Sequence, residues 1–260
     1  MNDNRRRNFD RAPVQEIEGQ LEGRNALTEA LKSGRTIDKV FIAAGETDRG
    51  LQRLAAQAKE AGAVVVPVDR RKLDAMSVTR AHQGVITLAA AHEYATIDDI
   101  MEEAAARGQA PLIVICDELT DPHNLGAIMR SAECAGAHGV IIPKRRSVGL
   151  TATVAKASAG AVEYMKVARV GNINDAIREL KDKGVWIFGT AAEGSIPMYK
   201  ADLTGPVAIV IGNEGDGISR LVRKNCDVMV SIPMEGRISS LNASAAAAIL
   251  LYEAVRQRLN

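Results

Sequence analysis

Asp117 to Gly136, DELTDPHNLGAIMRSAECAG, follows a continuous apolar run, Leu112 to Cys116, and itself becomes helical. An uninterrupted apolar run is what a strand covered on both faces of a sheet requires. Asp121-Pro122 marks the helix start, a capping carboxylate followed by proline at the first helical position. Two later stretches repeat the arrangement. Val207 to Ile211 runs into Gly212-Asn213-Glu214-Gly215-Asp216-Gly217. Asp227 to Ile232 runs into Pro233-Met234-Glu235-Gly236, ahead of an Ala-rich helix over about Leu241 to Leu259. Such alternation predicts an α/β fold, a parallel sheet with helices on both faces. Ligands bind such sheets in loops at the carboxyl ends of strands. The three loops are therefore the expected active site.

Working outward, the spacing predicts helices over Leu125 to Ala135, Thr151 to Ala159 and Ile173 to Lys183. It predicts strands over Gly139 to Ile142, Glu163 to Val167 and Val185 to Thr190. Residues 111–260 form one unit on this reading. Residues 17–90 form a smaller α/β unit, with helices over Glu22 to Leu31 and Leu51 to Ala61, another beginning at Lys72, and strands over Lys39 to Ala43, Ala63 to Val68 and Val85 to Ala89. Residues 91–110 read as a linker holding a helix over Ile97 to Ala106. Residues 1–16 carry Arg5, Arg6, Arg7 and Arg11 with almost nothing apolar, which predicts a disordered basic tail.

The chain has 260 residues and 47% apolar content, enough for a proper core, but only 3% aromatics, so that core is aliphatic. A net charge of +1 excludes a global pull toward nucleic acid and leaves only local patches. Cys116, Cys134 and Cys226 are far apart and have no metal-ligand spacing, so buried free thiols and no metal are expected. No apolar run reaches the roughly 20 residues of a membrane span. These features together predict a cytoplasmic protein without a membrane role.

Arg130 lies among Ala127, Ile128, Met129 and Ala132, where a guanidinium needs a partner. A structural ion pair competes there with a functional role. Asn124 is six residues earlier, on a neighbouring turn. Gly212, Gly215 and Gly217 permit tight turns, but the order is not the dinucleotide fingerprint, which disfavours a nicotinamide enzyme. Glu214 in that loop is suited to hold a hydroxyl or a cation. Ser239, Ser240, Asn242 and Ser244 gather at a helix start, beyond what one cap needs. Met234 and Leu241 are suited to line an apolar slot. In residues 17–90, Arg24, Asn25, Arg80, His82 and Gln83 stand at turns and suit phosphate and ribose contacts, with ordinary solvated surface as the competing reading. His82 equally suits fixing a turn. His123 and His138 are isolated, and no nucleophile triad, carboxylate pair or P-loop lysine occurs.

Three motifs resemble the SpoU/TrmH family of RNA ribose 2′-O-methyltransferases, within the SPOUT superfamily: Asp121 to Ala132, Ile211 to Gly217, and Ile232-Pro233-Met234 followed by Ser240-Leu241-Asn242-Ala243-Ser244. Ser239 replaces a frequent Glu and Ala243 a frequent Val. The small unit, through Glu22-Gly23-Arg24-Asn25-Ala26 and Arg80 to Val85, resembles the ribosomal-protein-like RNA-binding domain of the RlmB branch, which methylates a guanosine in the P-loop of bacterial 23S rRNA. The resemblance implies a C-terminal trefoil knot, S-adenosylmethionine as cofactor, RNA as partner and a homodimer with its site near the subunit interface. It implies catalytic roles for Arg130, Asn124, Glu214, Asn242 and Ser240. It implies cofactor contacts at Thr190, Ala191, Gly212, Asn213, Gly217, Ile232, Met234 and Leu241. Arg130 is expected to clamp the substrate phosphate, since free Arg, with a pKa above about 12, is a poor base. The same reaction on tRNA or another rRNA site, and a non-catalytic RNA-binding assembly factor, are the alternatives.

Overall fold

A computed structural model describes residues 17, 19–45, 47–90, 92–191, 194–213 and 215–259. The basic tail expected over residues 1–16 and the expected site residue Glu214 lie outside them.

The first unit has a four-stranded sheet. Its elements are β1 (Gln20–Glu22), α1 (Arg24–Lys32), β2 (Ile37–Ala43), α2 (Arg49–Glu60), β3 (Val64–Val68), α3 (Arg70–Met76) and β4 (Val85–Ala89). Strand order is β1-β4-β2-β3, with β4 antiparallel to both neighbours and β2 parallel to β3. Helices start where a side-chain oxygen meets an orphan N–H. Asp48 accepts from Leu51 N ahead of α2, and Asp69 from Arg71 N ahead of α3. The helix expected from Glu22 begins instead at Arg24, because Gln20–Glu22 pairs with β4. Glu22 is buried there, accepting from Ser77 Oγ at 2.7 Å, Val78 N at 2.6 Å, and both Thr79 N and Thr79 Oγ1.

The segment between the units carries α4 (Ile97–Ala106), opened by a reciprocal Thr96–Asp99 capping box. Ile97, Ile100 and Ala104 are buried against the large sheet, and Ala95 bridges to Ala168. The stretch read as a linker thus packs with the second unit.

That unit comprises β5 (Leu112–Cys116), α5 (Pro122–Cys134), β6 (Gly139–Pro143), α6 (Ala152–Ala157), β7 (Lys166–Val170), α7 (Ile173–Asp182), β8 (Trp186–Thr190), β9 (Ile196–Pro197), β10 (Val207–Ile211), α8 (Arg220–Asn225), β11 (Val228–Ser231) and α9 (Ala243–Arg258). Its seven strands run β7-β6-β5-β10-β8-β11-β9, and every pairing is parallel. Alternate side chains of β5 part to two cores. Leu112, Val114 and Cys116 meet α5, α6 and α9, while Ile113 and Ile115 meet α4, α7 and α8. Each fully buried Leu or Ile contributes about 1.5–3 kcal/mol. The chain winds outward through β5, β6 and β7, then crosses to β8 on the other side and inserts β10 next to β5. The winding therefore reverses at β5/β10, and the loops after these strands flank the crevice.

The strand expected over Glu163 to Val167 is displaced. Gly160, at φ 95°, opens a 3-10 turn over Ala161–Glu163, and β7 begins only at Lys166. Glu163 instead ties the units together through Arg35, at 2.8 Å with both side chains nearly buried. Tyr164 Oη donates to Glu29 at 2.6 Å, and Lys156 Nζ to Thr79 Oγ1 at 3.0 Å and the Ala81 carbonyl at 2.9 Å. At the other end of α9, Arg258 donates to four carbonyls, those of Leu203, Ala110, Pro111 and Gly205, at 2.6–3.1 Å.

Candidate active site

The first loop is anchored by side chains that leave it. Asp117 is buried, and its Oδ2 accepts from Ser219 N at 2.7 Å, beyond the second loop. Asp121 caps α5 by accepting from His123 N at 2.8 Å, with Pro122 in the first turn. Asn124, also buried, accepts from Asn242 Nδ2 at 2.8 Å. That bond joins the first loop to the third across 118 residues. Asn242 caps α9 at the same time, its Oδ1 accepting from Ser244 N at 3.0 Å and Ala245 N at 3.3 Å. One side chain therefore serves both the cap and the site.

The second loop is a closed turn. Asn213 N donates to Gly217 O and Gly217 N to Asn213 O, both at 3.1 Å. Asn213 Oδ1 accepts from Gly215 N at 2.9 Å and Asp216 N at 2.7 Å. Gly217 is left-handed, φ 68°. A Cβ on Gly212 would lie 2.1 Å from the Gly217 carbonyl carbon, so no other residue fits without moving the turn.

Between the second loop, the end of β8 and the third loop lies a cleft of about 570 Å³. Thr190 and Ala191 enter it from the end of β8, with Thr190 Oγ1 held by the Val210 carbonyl at 3.0 Å. Gly212, Asn213 and Gly217 enter from the second loop, and Ile232, Met234, Ser240 and Leu241 from beyond β11. The lining pairs apolar side chains with exposed backbone groups at glycines. This suits a flat apolar ring with polar atoms at its edge, which is the character of the adenosyl group. A second cavity of about 320 Å³ shares Asn213 and Gly215 with the cleft and is lined also by Glu118, Thr120, Asp121, Asn124 and Arg146. Nothing in the spacing singled out Glu118 or Arg146; only the tertiary fold brings the loops after β5 and β6 together.

Arg130 departs from expectation. It is exposed, lines neither cavity, and has no hydrogen bond or ion pair among the described residues. Six residues of helix turn it by about 240° from Asn124, so the buried Asn and the exposed Arg face different ways. Its buried neighbours Ile128, Met129 and Ala132 lie on the core side of α5.

In the small unit, Arg24 pairs with Asp48 at 2.8 Å and its backbone N–H donates to Gln83 Oε1 at 3.1 Å. Asn25, Arg80 and Gln83 are exposed, the last two in left-handed backbone. His82 is a correction. It is buried, with Nε2 against Asp74 at 3.0 Å and Nδ1 accepting from Gly84 N at 3.1 Å, so it fixes the turn and is not an RNA contact. His138 is likewise buried, accepting from Leu112 N at 3.0 Å, and burial holds its pKa below the usual range. Of the thiols expected to be buried, Cys116 is, and desolvation pushes it up to about 12. Cys226 is half-buried and Cys134 is exposed.

Against known proteins, the family described as SpoU rRNA Methylase matches residues 111–252. The family described as RNA 2'-O ribose methyltransferase substrate binding matches residues 20–95. A Bacillus subtilis protein assigned to the TrmH family of tRNA/rRNA methyltransferases is 48% identical over 91% of this chain and 94% of its own length. The 23S rRNA (guanosine-2'-O-)-methyltransferase RlmB of Ralstonia nicotianae is 44% identical over 92% of this chain and 95% of its own. The solved structure of the SpoU methyltransferase AviRb from Streptomyces viridochromogenes, in complex with the cofactor AdoMet, superposes with a TM-score of 0.82 at 26% identity, covering 93% of this chain and 90% of that one. An AdoMet-bound rRNA methyltransferase from Sinorhizobium meliloti superposes with a TM-score of 0.78 at 27% identity, covering 93% and 88%. With both units matched and the three motif loops gathered at one crevice, the chain belongs to the SpoU rRNA methylase family, whose members transfer a methyl group from S-adenosylmethionine to RNA.

Proposed function

We propose that this chain methylates the ribose 2′-oxygen of a guanosine in the P-loop of 23S rRNA, acting as a cytoplasmic homodimer with a trefoil-knotted second unit. The observation that carries the reading is the Asn242–Asn124 bond of 2.8 Å. It couples the cap of α9 beside the 570 Å³ cleft to the cavity next door, where a target nucleotide has room. The similarity to the Ralstonia enzyme favours a 23S guanosine; the Bacillus relative, assigned to tRNA and rRNA together, keeps tRNA as the second substrate to test.

S-adenosylmethionine supplies an activated methyl group when bound. Thr190, Gly212, Ile232 and Leu241 hold it through backbone groups, while Met234 and Leu241 cover its apolar part. This chain's work is positioning, which accounts for much of the rate in such transfers. Asn124 and Asn242 orient the ribose, Ser240 assists them, and Glu214 takes the catalytic role that the family resemblance implies. Arg130 clamps the substrate phosphate and polarises the 2′-hydroxyl. Because its guanidinium faces away from its own cleft, it serves the site at a subunit interface. The exposed face of α9, with Ile249 and Tyr252, is the surface offered to a second copy.

Labelled S-adenosylmethionine with unmodified 23S fragments and tRNA transcripts tests the reading. Label in the P-loop fragment alone, lost with Arg130→Ala, supports it. Label in tRNA moves the substrate. Cofactor binding with no transfer to any RNA, ribosome-bound forms included, favours an RNA-binding factor.

A further inference from the structure

The cavity of about 320 Å³ beside the cofactor cleft is walled by an ion pair to which the reading above gives no role. Arg146 Nη1 donates to Glu118 Oε1 at 3.0 Å. The partners come from different loops, after β5 and after β6. Both hold left-handed backbone, at φ 55° each. Residues with a Cβ seldom adopt that region, and such strain collects at binding sites. The pair is solvent-accessible, with Arg146 at 79% and Glu118 at 36% exposure. Exposed pairs of this kind add little stability. Stability therefore does not explain why two disfavoured conformations converge on one cavity.

We propose that Glu118 reads the target base in this cavity, and that the base it selects is guanine; this rests on the reading that the chain methylates a guanosine. A base flipped out of RNA is read along its Watson–Crick edge. Guanine presents two adjacent donors there, N1–H and the 2-amino group. A carboxylate presents two acceptors and no donor. Adenine and cytosine offer a ring-nitrogen lone pair beside their amino group, which a carboxylate repels. Uracil offers one donor between two carbonyls. Only guanine matches both oxygens. The cavity is also placed for it. Asn124 lines it, and Asn213 and Gly215 belong to both cavities, so a base seated here leaves its ribose at the junction with the cofactor cleft. Its volume lies at the small end of the roughly 300–1,000 Å³ range of ligand pockets, suited to one nucleoside. Arg146 is a positioning residue that aims the carboxylate. With the exposed Lys144 and Arg145 it gives the cavity a basic rim for flanking phosphates.

The test compares kcat/KM for RNA fragments with guanosine, inosine or adenosine at the methylated position. Wild type should prefer guanosine over adenosine, with inosine, which lacks the 2-amino group, between them. Glu118→Gln should lower the guanosine rate by about 10- to 100-fold, raise the adenosine rate, because an amide relieves the repulsion and matches adenine's lone pair and amino group, and leave S-adenosylmethionine affinity unchanged. Arg146→Gln should compress the guanosine-to-adenosine ratio, and Arg146→Lys should restore most of it. Equal losses on guanosine and adenosine RNA, or a wild-type guanosine rate in Glu118→Gln, overturns the proposal. If the wild-type protein methylates no RNA, the reaction assignment fails and binding decides base reading separately. Chemical-shift titration of the S-adenosylmethionine-saturated protein with guanosine or adenosine 5′-monophosphate should show a guanosine preference that Glu118→Gln abolishes. Equal affinities overturn base reading regardless of turnover.

Discussion

In the small sheet, the buried carboxylate of Glu22 gathers donors from Ser77, Val78 and Thr79, all within 57 residues of it and all in the same unit. In the large sheet, the buried Asp117 and Asn124 reach partners 102 and 118 residues away, one just beyond the second loop and one in the third. Both regions satisfy buried polar groups, as they must. The first use closes a fold around a carboxylate. The second fixes the distance between loops, so the site is as rigid as the strands that carry it. The difference assigns chemistry to the large unit and leaves the small unit an exposed, substrate-facing role.

The sharpest way to break that contrast is Gly212→Ala. Its Cβ meets the Gly217 backbone at 2.1 Å, so the loop must shift, at about 1–3 kcal/mol of stability. Cofactor affinity should fall by about 5- to 150-fold by calorimetry, the scale of that cost. An unchanged Kd would remove this loop from the cofactor site. Next comes Arg130→Ala. Transfer should drop by about 100- to 1,000-fold, the scale of losing one aligned donor, with cofactor affinity intact. Because Arg130 is exposed and unpartnered among the described residues, the melting curve should move by less than about 0.5 kcal/mol. A large destabilisation would instead make it structural.

Asn242→Ala sharpens the comparison within one residue. It removes a cap worth about 1 kcal/mol and takes a donor from buried Asn124, at about 1–3 kcal/mol. Both stability and turnover should fall; a stability loss with unchanged turnover would confine Asn242 to capping. Glu22→Gln probes the small unit. Burial alone would raise the Glu22 pKa, but hydrogen bonds from Ser77, Thr79, Val78 and Gln20 outweigh it and hold the group below the usual carboxylate range. A depressed carboxylate stabilises the fold above its unfolded pKa, and that stability is lost as pH falls through the folded value. Thermal melts taken from neutral pH downward should show a steep acid loss in wild type and a flatter profile in Glu22→Gln. Arg80→Ala has the smallest expected effect: RNA affinity falls a few-fold and the salt slope drops by about 1. An unchanged slope would take Arg80 off the RNA surface.

The legible parts of this molecule are those where residue type alone dictates placement. β5 and β10 announced themselves as five-residue apolar runs and are buried throughout. The Asp121-Pro122 start of α5 followed from capping chemistry. β1 was hidden because Gln20 and Glu22 look like surface residues, and only tertiary hydrogen bonds make them core. β7 was placed three residues early because the left-handed turn at Gly160 uses up the chain before it. α8 and the two-residue β9 were too short for any period to show. In the site, the motif residues were readable, but the direction of Arg130 was not. Its apolar neighbours implied burial, whereas they line one side of α5 and the guanidinium leaves from the other. The Glu118–Arg146 pair had no local signal, since two loops meet there only once the sheet has formed.

α9 has 16 residues, so it is a rod of about 24 Å. At its far end Arg258 grips the carbonyls of Ala110 and Pro111, where the chain arrives from α4 and the small unit beyond it. At its near end Asn242 holds Asn124. The tether of one unit and the mouth of the crevice in the other are thus two ends of a single rod. A helix of that length does not bend easily, so α9 fixes the span between the tether and Asn242 as a strut does.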